Sequence, residues 1–303
     1  DEAKILGRCP HKEFDVIFID TDHSLARTKK ELELWGWRVK PNGKIILHDS
    51  ESFFGVKQAI GEYVANKAIK VDERKNCNGL TILSPATISE VSAVILDWNT
   101  KDRTLACIDS VRKTYPTTEI VLVQNGEKFE CKQADQVIQP EINLGYAAGM
   151  NRGVLAATKK YVCLLNSDTI VEPGLFEKLQ APLDADPALA VTAPYSNYAG
   201  GPQGNYKKED CPKENKDIPV VFVCVMMQKA LFMEMGGINP RLTTFEDNDF
   251  CLRLIRRGLK SRAVGGAWIQ HAGHESFKAN KVDVWKTMME NKAKFQKRWP
   301  RIK

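Results

Sequence analysis

The sequence has no apolar run of the roughly 18–20 residues that a membrane span needs. Its longest candidate, residues 218–227, is half that length and is broken by Pro219. The opening Asp1-Glu2-Ala3-Lys4 shows no basic region followed by an apolar core, so no signal peptide is expected. None of the eight cysteines forms a C-x-x-C pair or clusters with histidine at zinc spacing. Cys163, Cys224 and Cys251 lie inside apolar runs, so buried, reduced thiols and a cytoplasmic setting are expected. No internal repeat is visible. These absences exclude an integral membrane protein, a disulfide-built secreted mini-domain and a collagen-like chain.

What is present is an ordinary globular composition over 303 residues, 43% hydrophobic and 27% charged, long enough for two domains. The net charge of +6 is uneven. Residues 278–303 hold nine basic and two acidic side chains, while the rest is balanced. No nucleic-acid partner is expected. In that tail Lys281, Lys286, Lys292, Lys294, Lys297, Arg298 and Arg301 surround Val282, Trp285, Met289, Phe295 and Trp299. The apolar set is expected to pack on a core. The basic set is either a solvated helix face or a docking face for anionic membrane or a lipid diphosphate.

Two βα alternations follow each other. In the first, residues 14–20 and 44–49 read as short strands ending in polar groups, residues 24–39 and 56–65 as helices, and residues 79–83 as a last strand. Pro41-Asn42-Gly43 reads as a turn, and Pro85 marks the boundary, giving segments 1–86 and 89–303. In the second, which begins at Val91, residues 92–97, 119–123 and 161–165 read as strands, and 103–114 and 147–158 as helices. Residues 199–217, rich in Gly, Pro, Lys, Glu and Asn, read as a mobile loop. The alternation predicts an α/β sheet with helices on its faces. Such sheets bind ligands at the carboxyl ends of their strands. Here those ends are Asp97, Gln124-Asn125 and Asn166-Ser167-Asp168.

Three places carry candidate chemistry. Asp168, at a strand end, suits a hard divalent cation that also touches phosphate oxygens, or else a helix cap. Glu246-Asp247-Asn248-Asp249 opens an amphipathic stretch; acids suit a helix start, yet three in four residues exceed what a cap needs, and one is a candidate general base. His271 and His274 are candidates for metal ligation or for structural use.

Together these pieces are more specific than apart. Residues 91–299 resemble glycosyltransferase family 2, the inverting nucleotide-sugar enzymes of GT-A fold. The resemblance rests on Val91-Ser92-Ala93-Val94-Ile95-Leu96-Asp97-Trp98-Asn99, on Asn143-Leu144-Gly145-Tyr146-Ala147-Ala148-Gly149-Met150-Asn151-Arg152-Gly153 and on Leu164-Leu165-Asn166-Ser167-Asp168-Thr169. It continues through Met235-Gly236-Gly237-Ile238, Phe245-Glu246-Asp247-Asn248-Asp249-Phe250-Cys251-Leu252-Arg253, and His271 with Ser276. It implies a mixed sheet flanked by helices, and metal-dependent transfer of a sugar from a nucleoside-diphosphate donor to a saccharide, lipid-linked or protein acceptor. It implies Mn²⁺ or Mg²⁺ on Asp168 and His271, and Asp247 as the base, with Glu246 second. Asp97, Asn99, Gln124, Asn125, Gly145, Gly149, Asn151, Asn166 and Asp168 are implied in donor binding; close helix–sheet packing is the other reading of the two glycines. Two departures stand out: Gln124-Asn125 where the family has Asp-Asn or Asp-Asp, and Asn166 where its metal motif begins with Asp.

Residues 1–86 resemble the carboxyl half of a class I methyltransferase, through Phe14-Asp15-Val16-Ile17-Phe18-Ile19-Asp20-Thr21-Asp22-His23-Ser24, through Leu34-Trp35, and through Lys40-Pro41-Asn42-Gly43-Lys44-Ile45-Ile46-Leu47-His48-Asp49. The likeness implies that Asp20, Asp22, His48 and Asp49 converge, as metal ligands do in some relatives. The glycine-rich turn that holds S-adenosylmethionine is absent, so the segment reads as a truncated or remnant fold. A methyltransferase fragment and a non-catalytic sugar-binding module are the rival functions.

Overall fold

A computed structural model describes residues 14–65, 69–75, 78–85 and 89–300. It divides into two compact units, residues 1–88 and 89–303.

The first unit runs β1 (Phe14–Ile19), α1 (Leu25–Trp35), a 3₁₀ turn, β2 (Val39–His48), α2 (Phe54–Val64), β3 (Ile69–Arg74) and β4 (Leu80–Pro85). Ser24 starts α1 by accepting the Arg27 N–H at 3.3 Å. The sheet order is β1-β2-β4-β3, parallel between β1 and β2 and antiparallel elsewhere. Leu32, Ile45, Leu47, Val56, Ala59 and Leu83 form its core. The turn expected at Pro41-Asn42-Gly43 is instead an irregularity inside β2: Phe14 pairs with Val39, but Val16 pairs with Lys44. β3 was not visible in the sequence, because its charged residues mask a half-exposed edge strand.

The second unit runs β5 (Val91–Asp97), α3 (Lys101–Thr114), β6 (Glu119–Gln124), β7 (Gln136–Ile138), α4 (Gly145–Ala156), β8 (Tyr161–Asn166), β9 (Thr169–Ile170), α5 (Leu175–Ala185), β10 (Leu189–Ser196), β11 (Lys216–Asp217), β12 (Cys224–Gln228), α6 (Lys229–Glu234), α7 (Glu246–Arg256), β13 (Lys260–His271), α8 (Glu275–Ala279) and α9 (Val284–Arg298). Its sheet is mixed, in the order β11-β13-β10-β12-β8-β5-β6-β7, with β9 paired to β13. β5 and β6 are buried along their whole length, as strands covered on both faces must be. The period of two sorts the residues. Val91, Ala93 and Ile95 pack with α3 and α5, and Val94 and Leu96 with α4 and α7.

Register fixes where function can sit. β8, β5 and β6 are parallel. β12 is antiparallel to both β8 and β10, and β13 is parallel to β10. The carboxyl ends of β5, β6, β8, β10 and β13 therefore share one edge of the sheet, joined there by the amino end of β12.

Residues 199–217 are tied down rather than left as an open loop. Gln203, buried, donates to Pro194 O and accepts from Val221 N, and Trp268 Nε1 donates to Tyr206 O. The tail also differs from expectation. Phe295 and Trp299 are buried, but Trp285 and Met289 are 76% and 64% exposed. Arg301 lies outside the described residues. Cys163, Cys224 and Cys251 are free and buried, as expected.

Candidate active site

β9 pairs antiparallel with the end of β13, setting Thr169 opposite His271 and so Asp168 beside it. His271 Nε2 lies 3.0 Å from Asp168 Oδ1, and both side chains are 8% exposed. His271 Nδ1 lies 2.6 Å from the Tyr198 carbonyl. A carbonyl only accepts, so Nδ1 carries the proton and Nε2 faces the carboxylate. Asn197 holds the His271 backbone at both ends, donating to its C=O at 2.9 Å and accepting from its N–H at 2.8 Å. Burial pushes the Asp168 carboxyl up, but the hydrogen bond and charge of His271 outweigh it and hold it below the usual range. Burial lowers His271, and Asp168 more than restores it, so the imidazole stands above its ordinary value.

Glu246 and Asp247 open α7, where the helix dipole favours negative charge. Glu246 Oε2 is buried with no hydrogen-bond partner among the described residues. Burial, and then the charge of Asp247, push the Glu246 carboxyl up to about 8. Burial also raises Asp247, against the N–H groups of Asn248 and Phe222 that favour its charged form. The Phe222 contact leads to the neighbouring Val223, whose carbonyl accepts the Asn166 N–H at 2.9 Å. The two carboxylate sites thus meet the same sheet edge through adjacent residues of one segment.

Several of the residues expected to touch a donor also hold the scaffold. Asp97 is fully buried; its Oδ1 takes the Thr100 N–H and the Thr100 and Thr104 hydroxyls, which fixes the start of α3, while its buried Oδ2 has no partner among the described residues. Gln124 donates to Phe129 O and accepts from Phe129 N and Gln139 Nε2, and so shapes the loop after β6. Asn125 donates to Asn143 Oδ1 and Gly145 O and accepts from Leu144 N. Asn151 pairs twice with the Ile238 backbone. A Cβ on Gly149 would fall 2.3 Å from Leu96 Cδ1, so this glycine serves helix–sheet packing. Gly145 differs: its φ of +74° needs glycine, while a Cβ there would meet nothing. Asn166 is half-buried. Asn99, exposed, bridges the Glu127 N–H and Asn280. His274 packs its ring against Tyr198 and Phe277. Asn197, Tyr198 and Asn280 were missed in the sequence; a polar pair after β10 was the only signal.

In the first unit, Asp20, His23 and Asp49 offer ligand atoms within 4.8 Å of one another. His48 Nδ1 lies 3.3 Å from Asp49. The expected His48 is not in that group, nor is Asp22, whose Oδ1 accepts the Ser24 N–H and hydroxyl at the start of α1. His23 stands in its place.

Residues 92–259 match glycosyl transferase family 2, and residues 1–50 match a methyltransferase domain. Among curated relatives, Glycosyltransferase GlyG of Streptococcus pneumoniae is 27% identical over 119 residues, covering 36% of this chain and 40% of that protein. The amylovoran biosynthesis glycosyltransferase AmsE of Erwinia amylovora is 26% identical over 171 residues, 50% and 64% of the two chains. The chain thus spans less than two thirds of either relative. The structure of S. aureus TarS residues 1–349 superposes with a TM-score of 0.48 at 16% identity, over 62% of each chain. With more than half of its length matched, the chain belongs to glycosyl transferase family 2.

Proposed function

We propose that this chain is an inverting glycosyltransferase that moves a sugar from a nucleoside-diphosphate donor to a hydroxyl of a saccharide, lipid-linked or protein acceptor. The observation that supports it most is the pairing of two unlike carboxylate sites on one sheet edge: Asp168 with His271, and Asp247 with Glu246. A lowered carboxyl and a raised pair on one sheet edge suit a division of charge binding from proton transfer.

The first site suits a divalent cation. The 3.0 Å pair brings an oxygen and a nitrogen ligand together, and with Nδ1 held by the carbonyl, loss of the proton between Nε2 and Asp168 would leave both atoms facing a cation. A mixed O/N set favours Mn²⁺ over Mg²⁺, which prefers oxygen alone. A cation held by Asp168 and His271 would neutralise the leaving diphosphate. Asp247 takes the proton of the acceptor hydroxyl. Glu246 stays neutral near pH 7 and keeps the charge of the pair on Asp247. Gly145, with Asn143 and Asn125 behind it, shapes the backbone that approaches the donor. Asn166 lies next to the metal pair, where it reaches the ribose or a bound water.

No helix among the described residues is long and apolar enough to cross a membrane. Helix α9 instead offers exposed Trp285 and Met289 beside Lys286 and Lys292, a fit to an anionic lipid surface or lipid diphosphate. Flotation with and without anionic lipid tests that contact, and equal recovery at low salt removes it. The transfer is tested by acceptor-free hydrolysis of UDP-, GDP- and dTDP-sugars with Mn²⁺ and with Mg²⁺. Turnover of a donor that EDTA stops is the expected result; full turnover in EDTA overturns the metal assignment.

A further inference from the structure

We propose that helix α9 is a positioning clamp for the Glu246–Asp247 pair, gripping the chain on both sides of it. The proposal rests on the transferase reading above, in which Asp247 is the base.

On the approach to the pair, Asn291 is 2% exposed and makes two bonds to one residue. Its Nδ2 donates to Thr243 Oγ1 at 2.7 Å, and its Oδ1 accepts the Thr243 N–H at 3.1 Å. Phe295 stacks on Phe245, with ring centroids 5.5 Å apart. Phe245 immediately precedes Glu246 and has a φ of +66°, a left-handed conformation uncommon for a bulky side chain. Strain of that kind persists only where the surroundings over-determine it. Here α9 supplies part of those surroundings.

Beyond the pair, Asp249 is fully buried. It accepts from Arg253 Nε of its own helix at 2.9 Å, from Arg298 Nε at 2.6 Å and from Trp299 Nε1 at 3.0 Å. Arg298 ends α9, and Trp299 follows it. Arg253 reaches on to the Met235 and Gly237 carbonyls, and Arg256 lies 4.0 Å over the Trp299 ring. Residues 243, 245 and 249 are thus fixed to one helix, with the two carboxylates between them. A buried carboxyl oxygen without a partner turns toward water when its backbone is free to move. The clamp opposes that turn. The groups facing the pair, besides each other, are Tyr146 from α4, Cys251 from α7 and the Phe222 N–H.

The test uses the 303-residue chain with Asn291→Ala, Phe295→Ala and the conservative Phe295→Tyr. The exposed Glu290→Gln on the same helix is the control. Hydrolysis of whichever nucleotide sugar the Mn²⁺ panel identifies is followed from pH 5 to 9. In both alanine variants kcat falls roughly 10–100-fold while KM for the donor stays within about twofold, as misplacement of a reacting group requires. The pH–rate profile moves toward the ordinary carboxylate range. Phe295→Tyr recovers most of the loss, and Glu290→Gln changes nothing. An unchanged kcat and profile, or a rise in KM that accounts for the whole loss, overturns the clamp. If the wild-type chain turns over no donor, the transferase reading fails, and the clamp is judged by unfolding. Glu246→Gln then raises the melting temperature at pH 8.5 in the wild-type background but not in Phe295→Ala. Equal gains in both backgrounds overturn it. If Phe295→Ala does not fold, Asn291→Ala carries the same readouts.

Discussion

Glu119 and Glu246 sit at opposite edges of one sheet, and their surroundings are reversed. Glu119, where β6 begins, is buried and accepts from Ser92 Oγ, from the Thr158 N–H and hydroxyl, and from Gln136 Nε2. Burial pushes this carboxyl up, but those donors together hold it below its ordinary value. Glu246 has a buried oxygen with no partner among the described residues, beside a second carboxylate, and stands at about 8. The same side chain is thus tuned in opposite directions by the donors around it. A satisfied acid ties strands together. Glu246 keeps one oxygen without a partner among the described residues, beside an Asp247 that accepts the Asn248 N–H, and the pair lies at the edge where open α/β sheets bind ligands.

The largest expected effect belongs to the ligand edge. Asp168→Ala lowers metal-dependent donor turnover by about 10³-fold or more, because a lost charged ligand removes several kcal/mol of leaving-group stabilisation. The variant still folds, with a melting temperature lowered by loss of the buried Asp168–His271 pair, so turnover is compared per folded protein. Turnover that survives in this variant breaks the contrast at its functional end.

The opposite edge is tested through stability. Glu119→Ala leaves the Ser92, Thr158 and Gln136 donors unpaired and costs about 2–4 kcal/mol in urea unfolding, with kcat of the folded fraction kept. A smaller loss, or a fall in kcat, shows that the two edges are not divided as described.

A third prediction uses the sign of the Glu246 shift. A carboxyl raised in the folded state stays neutral while the unfolded chain ionises. Its contribution is complete below about pH 4.5 and is lost as pH rises through about 8. Glu246→Gln removes that loss. It is neutral near pH 4.5 and stabilising by on the order of 1–3 kcal/mol at pH 8.5. A pH-independent effect places the raised carboxyl elsewhere.

The smallest effect is expected in the first unit. Calorimetry of the chain with S-adenosylmethionine gives no heat of binding, since no glycine-rich first turn is present in the sequence. Micromolar affinity restores the methyltransferase reading.

The sheet was legible because buried strands are short apolar runs that end in polar groups. For that reason β5, β6 and β8 were found within a residue or so. Asp168 and His271 were legible as strand-end groups, although their pairing depends on β9 meeting β13, a contact that local spacing does not encode. The scaffold bonds of Gln124, Asn125 and Asn151 were not legible, because an amide that ties a loop and an amide that binds a ligand are the same letter. Asp22 and His23 exchanged places for a similarly local reason, a helix start that consumes the nearer carboxylate. Trp285 and Met289 share helical spacing with Phe295 and Trp299, and spacing alone does not say which stripe faces the core.

The most direct test of the account is the pH–rate profile of Asp247→Asn against wild type, in Mn²⁺ with the donor that the hydrolysis panel identifies. Donor affinity is expected within about twofold of wild type, turnover lower by roughly 10²–10⁴-fold, and the rising limb that reports the carboxylate pair lost. Unchanged turnover with the limb intact contradicts it, and would leave Glu246 and Asp247 as no more than the start of a helix.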